Sequence, residues 1–354
     1  MSDSPSTQAL PAGAARPDAA ARLLAGAVRL LPPGRRDWGA AMRAELDALT
    51  EPDERRRFAI GCVAAVGSRP AVWRRIGYAL LPAAVVAYVL LWSASIDWAP
   101  RRWGVVAFAA VLAVVAELGV VGPLGPVARG GAARFTRACG YLLVGVLAVE
   151  VDFAIAHKDN NDLAGVPVLS TVLAVYLAAT LAVTRRRAEA TSRSLLIGLA
   201  AGTTAAAAWV VAVVLAPPIP PGPGFATAIV GAGMAAAVLL VPRRTPMTAL
   251  RAALIAGTTA ALLIFNAVVL LGSFGPAELI PSLAPHALTP ADQLANSRIE
   301  LVDPYLWLLL LGCLVAVAQW VAARAPASPA EPTSATPTSA VATPPANTTT
   351  HEPT

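Results

Sequence analysis

The sequence predicts an all-α, polytopic transmembrane helix bundle of about eight spans, with a small three-helix cytoplasmic segment at its N-terminal side. Three observations predict it. Of 354 residues, 56% are hydrophobic and only 14% charged, whereas soluble chains average about 25% charged. Apolar runs of about 18–24 residues recur along the chain, the length that crosses a bilayer at roughly 1.5 Å per residue. Arginines cluster between alternate runs, which is how a membrane protein is oriented.

Residues 1–16 are mostly Ser, Pro and Ala without the apolar core of a signal peptide, and are expected to be disordered. Residues 17–75 read as a cytoplasmic helical head. Leu23, Leu24, Ala27, Val28 and Leu31 share one helical face until Pro32-Pro33-Gly34 ends it. A second helix is expected from Arg35 to Leu49, with Trp38, Met42, Leu46 and Leu49 on one stripe. A turn at Thr50-Glu51-Pro52-Asp53 leads to a third helix, from about Glu54 to Ser68.

Residues 76–323 are expected to form the bundle, with spans at 76–94, 103–121, 138–156, 164–184, 194–216, 224–241, 249–272 and 304–323. The sixth is the weakest, being short and rich in Gly and Ala. If eight spans alternate, Arg69, Arg74, Arg75, Arg129, Arg134, Arg137, Arg185, Arg186, Arg187, Arg193, Arg243, Arg244 and Arg251 fall on one side. The other side holds Arg101, Arg102, Lys158 and Arg298. The basic side is then cytoplasmic, with both termini, in the cell membrane. Residues 324–354, rich in Pro, Thr and Ala, are expected to be a disordered tail.

The net charge of +6 would point a soluble domain toward nucleic acid. Here the arginines sit at the ends of apolar runs, so no nucleic-acid partner is expected; the lipid bilayer is. Cys62, Cys139 and Cys313 are far apart, with no CxxC or Cys/His spacing. No metal site follows, and no cofactor. One internal similarity is visible: Ala201-Gly202-Thr203-Thr204-Ala205-Ala206 recurs as Ala256-Gly257-Thr258-Thr259-Ala260-Ala261. Either spans five–six and seven–eight are a duplicated hairpin, or an alanine-rich sequence has matched by chance.

Ionisable groups in hydrocarbon are costly, so each is a candidate site. Glu117 lies about a turn from the inner end of span two and is expected to reach the interface toward Arg129 or Arg134. Glu150 is deeper, about 9 Å from the outer end of span three. Asp152 points about 200° away from it on a helix, so the two form no catalytic pair. Glu150 is expected to face the bundle and Asp152 the outer water. Asn266 in span seven lies at a similar depth, which allows a Glu150–Asn266 contact or two separate interhelical hydrogen bonds; Gln319 is a further neutral polar group.

Outside, His157-Lys158-Asp159-Asn160-Asn161-Asp162 is expected to be a solvated loop, since EF-hand spacing is absent. His286 is likewise external, with no third ligand. The longest external segment, Ser273 to Asp303, contains Thr289-Pro290-Ala291-Asp292, which has the form of a helix start. That helix would carry Asn296, Arg298 and Glu300 toward Asp303. It would either contact a partner or seal the outer ends of spans seven and eight.

The most distinctive stretch is Asp37-Trp38-Gly39-Ala40-Ala41-Met42-Arg43-Ala44-Glu45-Leu46. Glu45 is expected on the side of Trp38 and Met42, paired with Arg55, Arg56 or Arg57. Trp38, Met42 and Glu45 are the candidate contact residues of the head. Trp38…Ala41-Met42…Ala44-Glu45-Leu46, followed by Arg57-Phe58-Ala59-Ile60-Gly61-Cys62, resembles the N-terminal segment of uncharacterised multi-pass membrane proteins of high-GC Gram-positive bacteria. Asn296-Ser297-Arg298-Ile299-Glu300 with Asp303-Pro304-Tyr305 is similar to a segment before their last span. The resemblance implies a membrane location and no activity.

No Walker, GxSxG, HExxH or Rossmann sequence is present, so an enzyme is not expected. The expected function is a non-enzymatic signalling or accessory protein whose head binds a cytoplasmic protein partner. The alternative is a transporter or permease with a polar site around Glu150.

Overall fold

The computed structural model describes residues 18–31, 35–120, 124–128, 130–157, 165–186, 188, 190–215, 222–241, 246–280, 283 and 289–324. The expected disordered tails (the second except for Arg324), the 158–162 loop, Pro32-Pro33-Gly34, His286, Arg129, Arg187, Arg243 and Arg244 lie outside them.

Three short helices come first: α1 (Ala19–Leu30), α2 (Arg36–Ala48) and α3 (Pro52–Gly67). The starts of α1 and α3 are written locally. Asp18 caps α1 by accepting the Ala21 N–H at 2.7 Å. Pro52 opens α3, with Asp53 and Glu54 at the positive end of its dipole. Leu24, Ala27, Leu31, Met42, Leu46, Ala59, Cys62 and Val66 form one buried cluster, joined by Val72 of the next helix. α2 meets α1 at Gly39, where an added Cβ would stand 2.6 Å from Val28 Cγ1.

Eight long apolar helices follow, and the chain is an integral multi-pass membrane protein. They are α4 (Pro70–Ser93), α5 (Ala99–Val120), α6 (Gly131–His157), α7 (Gly165–Thr184), α8 (Ser192–Val210), α9 (Pro223–Leu240), α10 (Pro246–Phe274) and α12 (Tyr305–Ala322), with the shorter α11 (Pro290–Val302) before the last. All eight expected spans are present. α4 begins at Pro70, six residues before its apolar window at Ile76. The boundary between head and bundle therefore falls inside one helix, not between two.

α10 is the axis of the bundle, with 67% of its apolar window buried against 11% for α4. α8 and α10 run parallel and pack through small residues. An added Cβ at Gly198 would stand 2.7 Å from Ala252 O, and one at Gly202 2.6 Å from Ala256 O. This is the close backbone approach that Gly-xxx-Gly spacing permits in membranes. The two copies of the repeated hexapeptide therefore face each other. Their surroundings differ: Thr258 and Thr259 are buried, whereas Thr203 and Thr204 are exposed.

Guanidinium groups tie the helix ends together. The last carbonyls of a helix have no partner within it and carry partial negative charge. Arg137 of α6, itself buried, donates to Gly119 O at 3.1 Å, Gly125 O at 3.2 Å, Leu181 O at 3.2 Å and Thr184 Oγ1 at 3.0 Å. It thus closes the C-terminal ends of α5 and α7. Arg251 and Arg185 donate to Ala322 O and Ala323 O at the end of α12, both at 3.2 Å. At the far end, Arg101 donates to Ala156 O of α6 at 3.4 Å, and Arg298 to Gly272 O and Gly275 O at 2.6 and 2.7 Å. A short bridge, Val127 with Arg185, pins the segment before α6 to the end of α7.

Candidate functional site

In the head, the expected Glu45 pair is replaced by another. Arg55 donates to Asp18 at 2.8 Å and to Leu46 O and Leu49 O at 2.6 and 2.7 Å. Glu45 is exposed. The face that α2 buries is centred on Gly39, Met42 and Leu46, which turns Glu45 toward solvent. Met42 is a core residue at 6% exposure, so it is no contact residue of the surface. Trp38 is half-buried, with the Arg69 guanidinium 5.9 Å from its ring centroid. The outward side of α2 carries Asp37, Ala40, Ala41, Arg43, Ala44, Glu45, Asp47 and Ala48. Two groups here have displaced pKa values. The Ala21 N–H and then Arg55 hold the Asp18 carboxyl below its ordinary 3.8. Burial, with Glu45 adding to it, pushes the Cys62 thiol above its ordinary 9.0.

In the bundle, the two carboxylates of α6 are placed opposite to expectation. Asp152 is buried at 9% exposure, while Glu150 is half-buried in an open concavity of about 400 Å³ lined by Tyr141, Leu142, Gly145, Val146 and Val149 of the same helix. The series Leu142–Val146–Glu150 faces outward at i+4 spacing, and Gly140–Val144–Ala148–Asp152 faces inward. Asn266 does not meet Glu150; its Nδ2 donates to Leu262 O within α10 at 2.7 Å. Glu117 does not pair with Arg134, which donates to Gly130 O at 3.4 Å. One Glu117 oxygen is buried without a hydrogen-bond partner among the described residues.

Two polar groupings went unrecognised in the sequence. On the head side, Thr136, Cys139, Thr180, Thr258, Thr259 and Gln319 line a cavity of about 20 Å³. One water needs roughly 10–15 Å³. Thr258 donates to Gln319 Oε1 at 2.8 Å across it. On the far side, Trp209 and Tyr305 meet edge to face, centroids 5.5 Å apart. Trp209 Nε1, Tyr305 Oη and Asn266 Oδ1 are all buried without a partner among the described residues. The register that sets Gly202 beside Thr259 brings Trp209 level with Asn266, seven residues further along each helix. α8 then widens into a π turn at Val211–Leu215. The signal available in the sequence was the shared spacing of these residues on α8 and α10.

At the far end, the expected helix start is present: Thr289 caps α11 by accepting the Asp292 N–H at 3.1 Å. Arg298 clamps α11 to the end of α10, and Ser297 Oγ accepts the Leu283 N–H at 3.0 Å. Glu300 and Asp303 are exposed. α11 is thus fastened to the end of α10.

Among the described residues no group of three His, Cys, Asp or Glu side chains could hold a metal. The chain matches no family model, no curated protein and no solved structure.

Proposed function

We propose that the chain is a non-enzymatic signalling or accessory protein of the cell membrane, with both termini in the cytoplasm and a head that binds a cytoplasmic protein. The observation that supports this most is the division of labour in the head. Asp18 and Arg55 close it from within, which leaves Glu45 on an outward side of α2 made of alanines, three acids and Arg43. Its short side chains leave room for a partner helix to approach the α2 backbone closely. Transport around Glu150 has less support. That side chain sits on the outside of α6, and the two inner polar groupings belong to different ends of the bundle.

Photocrosslinking in cells tests the reading. A photoreactive residue at position 45 or 41 should give a discrete protein adduct, and one at Leu118 on the outer side of α5 should give none. No adduct from either head position overturns it.

A further inference from the structure

Along the exposed side of α3 the residue types change in a fixed order. Glu51, Asp53 and Glu54 come first, then Arg56 and Arg57, then Ile60, Gly61, Val63 and Ala64, all of them exposed. Ile60 is 53% and Val63 38% exposed, while Ala59, Cys62 and Val66 on the other side fill the head's core. The apolar end of the series is the end beside the bundle. Trp73 Nε1 donates to Gly67 O at 2.7 Å, which holds the C-terminus of α3 against the first turn of α4. Trp73 stands three residues before Ile76, where the apolar window starts; that is about 4.5 Å at helical rise. It is 64% exposed, at the level where membrane proteins place tryptophan.

We propose that this side of α3, with Trp73, lies on an anionic phospholipid surface. Ile60 and Val63 enter the boundary between headgroups and acyl chains, and Arg56 and Arg57 meet the lipid phosphates. The order of residues carries the argument. A helix that lies obliquely on a negatively charged leaflet, anchored at one end, places apolar residues in the headgroup–acyl boundary near that end, cations at the phosphates and acids furthest from it. α3 has that order, and its apolar end is fixed near the start of a membrane span. The outward side of α2, with Asp37, Arg43, Glu45 and Asp47, exposes no large apolar residue and remains turned to the aqueous phase. The inference goes beyond the partner-binding reading and depends on it in nothing except which leaflet is met in the cell.

The test uses the full chain with Cys62, Cys139 and Cys313 replaced by alanine. Single cysteines (Ile60→Cys, Val63→Cys and Glu45→Cys) carry an environment-sensitive fluorophore. The protein is reconstituted in symmetric nanodiscs of phosphatidylcholine, with or without about one-third phosphatidylglycerol, containing lipid spin-labelled near the headgroup. Probes at 60 and 63 should be quenched about threefold more than the probe at 45 when phosphatidylglycerol is present, and Arg56→Gln with Arg57→Gln should remove most of that excess. Quenching at 60 and 63 no greater than at 45 overturns the proposal. So does equal quenching without phosphatidylglycerol. Probes shielded from aqueous iodide yet unquenched by lipid would show that protein covers this side, which also overturns it. Because the discs are symmetric and hold no partner, failure here leaves the crosslinking from position 45 as a separate result.

Discussion

Arg55 Nε donates to Asp18 at 2.8 Å across 37 positions of sequence, while its NH1 group closes two carbonyls at the end of α2. One guanidinium therefore joins the start of α1, the end of α2 and the first turn of α3. Arg55→Gln is expected to cost about 1–3 kcal/mol, chiefly because the part-buried Leu46 and Leu49 carbonyls lose their donor. Glu45→Ala is expected to stay within about 0.5 kcal/mol, as an exposed substitution does. Hydrogen exchange of the full chain over residues 18–49 reads both. Equal loss of protection in the two variants would restore Glu45 as the internal partner.

The same contact sets a pH dependence. The Asp18 carboxyl lies below 3.8 in the folded chain because the Ala21 N–H and Arg55 favour its ionised form. A depressed carboxyl contributes stability above its unfolded pKa, and that contribution is lost as pH falls through the folded value. The Asp18 titration followed by carbon NMR should therefore have its midpoint below 3.8 and move up toward it in Arg55→Gln. A midpoint that ignores the substitution would contradict the pairing.

Cys62 titrates in the opposite sense. Burial raises its thiol above 9.0, so the neutral form is favoured; that contribution is fully present below 9.0 and is lost as pH rises from there through the folded value. Alkylation near pH 8 should be slow in the folded chain and fast in denaturant. Equal rates would show that the head's core is open.

Glycines on α6, α8 and α10 should respond to alanine according to what faces them. At Gly202 a Cβ meets the Ala256 carbonyl at 2.6 Å, which is backbone and cannot turn away, whereas nothing lies within 4 Å of Gly145. Gly202→Ala is expected to cost about 1–3 kcal/mol by overpacking. Gly145→Ala should be neutral or gain up to about 1 kcal/mol of helix propensity. Thermal midpoints in detergent separate them.

Much of this arrangement was legible in the sequence, because span length and arginine placement are set by the bilayer rather than by neighbours. All eight spans and the α11 start follow from length, apolar runs and a Thr-Pro signature. What was not legible is which way a helix turns. The sequence puts Trp38, Met42, Leu46 and Leu49 on one stripe of α2, and Met42 and Leu46 are buried, but the closest packing is at Gly39, which has no side chain to announce it. That rotates the buried face and puts Glu45 in water. On α6 the spacing of Glu150 and Asp152 correctly put them on opposite sides. Depth in the span favours Glu150 as the buried one, but the inward i+4 series ending at Asp152 decides otherwise. Arg137 was read only as an orienting charge. Its four acceptors come from α5, α7 and the segment between α5 and α6, which sequence spacing does not bring together.

The proposed cytoplasmic partner requires the head to face the cytoplasm. The direct measurement is labelling of Glu45→Cys, with Cys62, Cys139 and Cys313 replaced by alanine, using a membrane-impermeant thiol reagent on intact and then permeabilised cells. Glu45 is exposed, so reagent that reaches its compartment will react. The account predicts no labelling until the cells are permeabilised and strong labelling afterwards; labelling of position 45 in intact cells would contradict it.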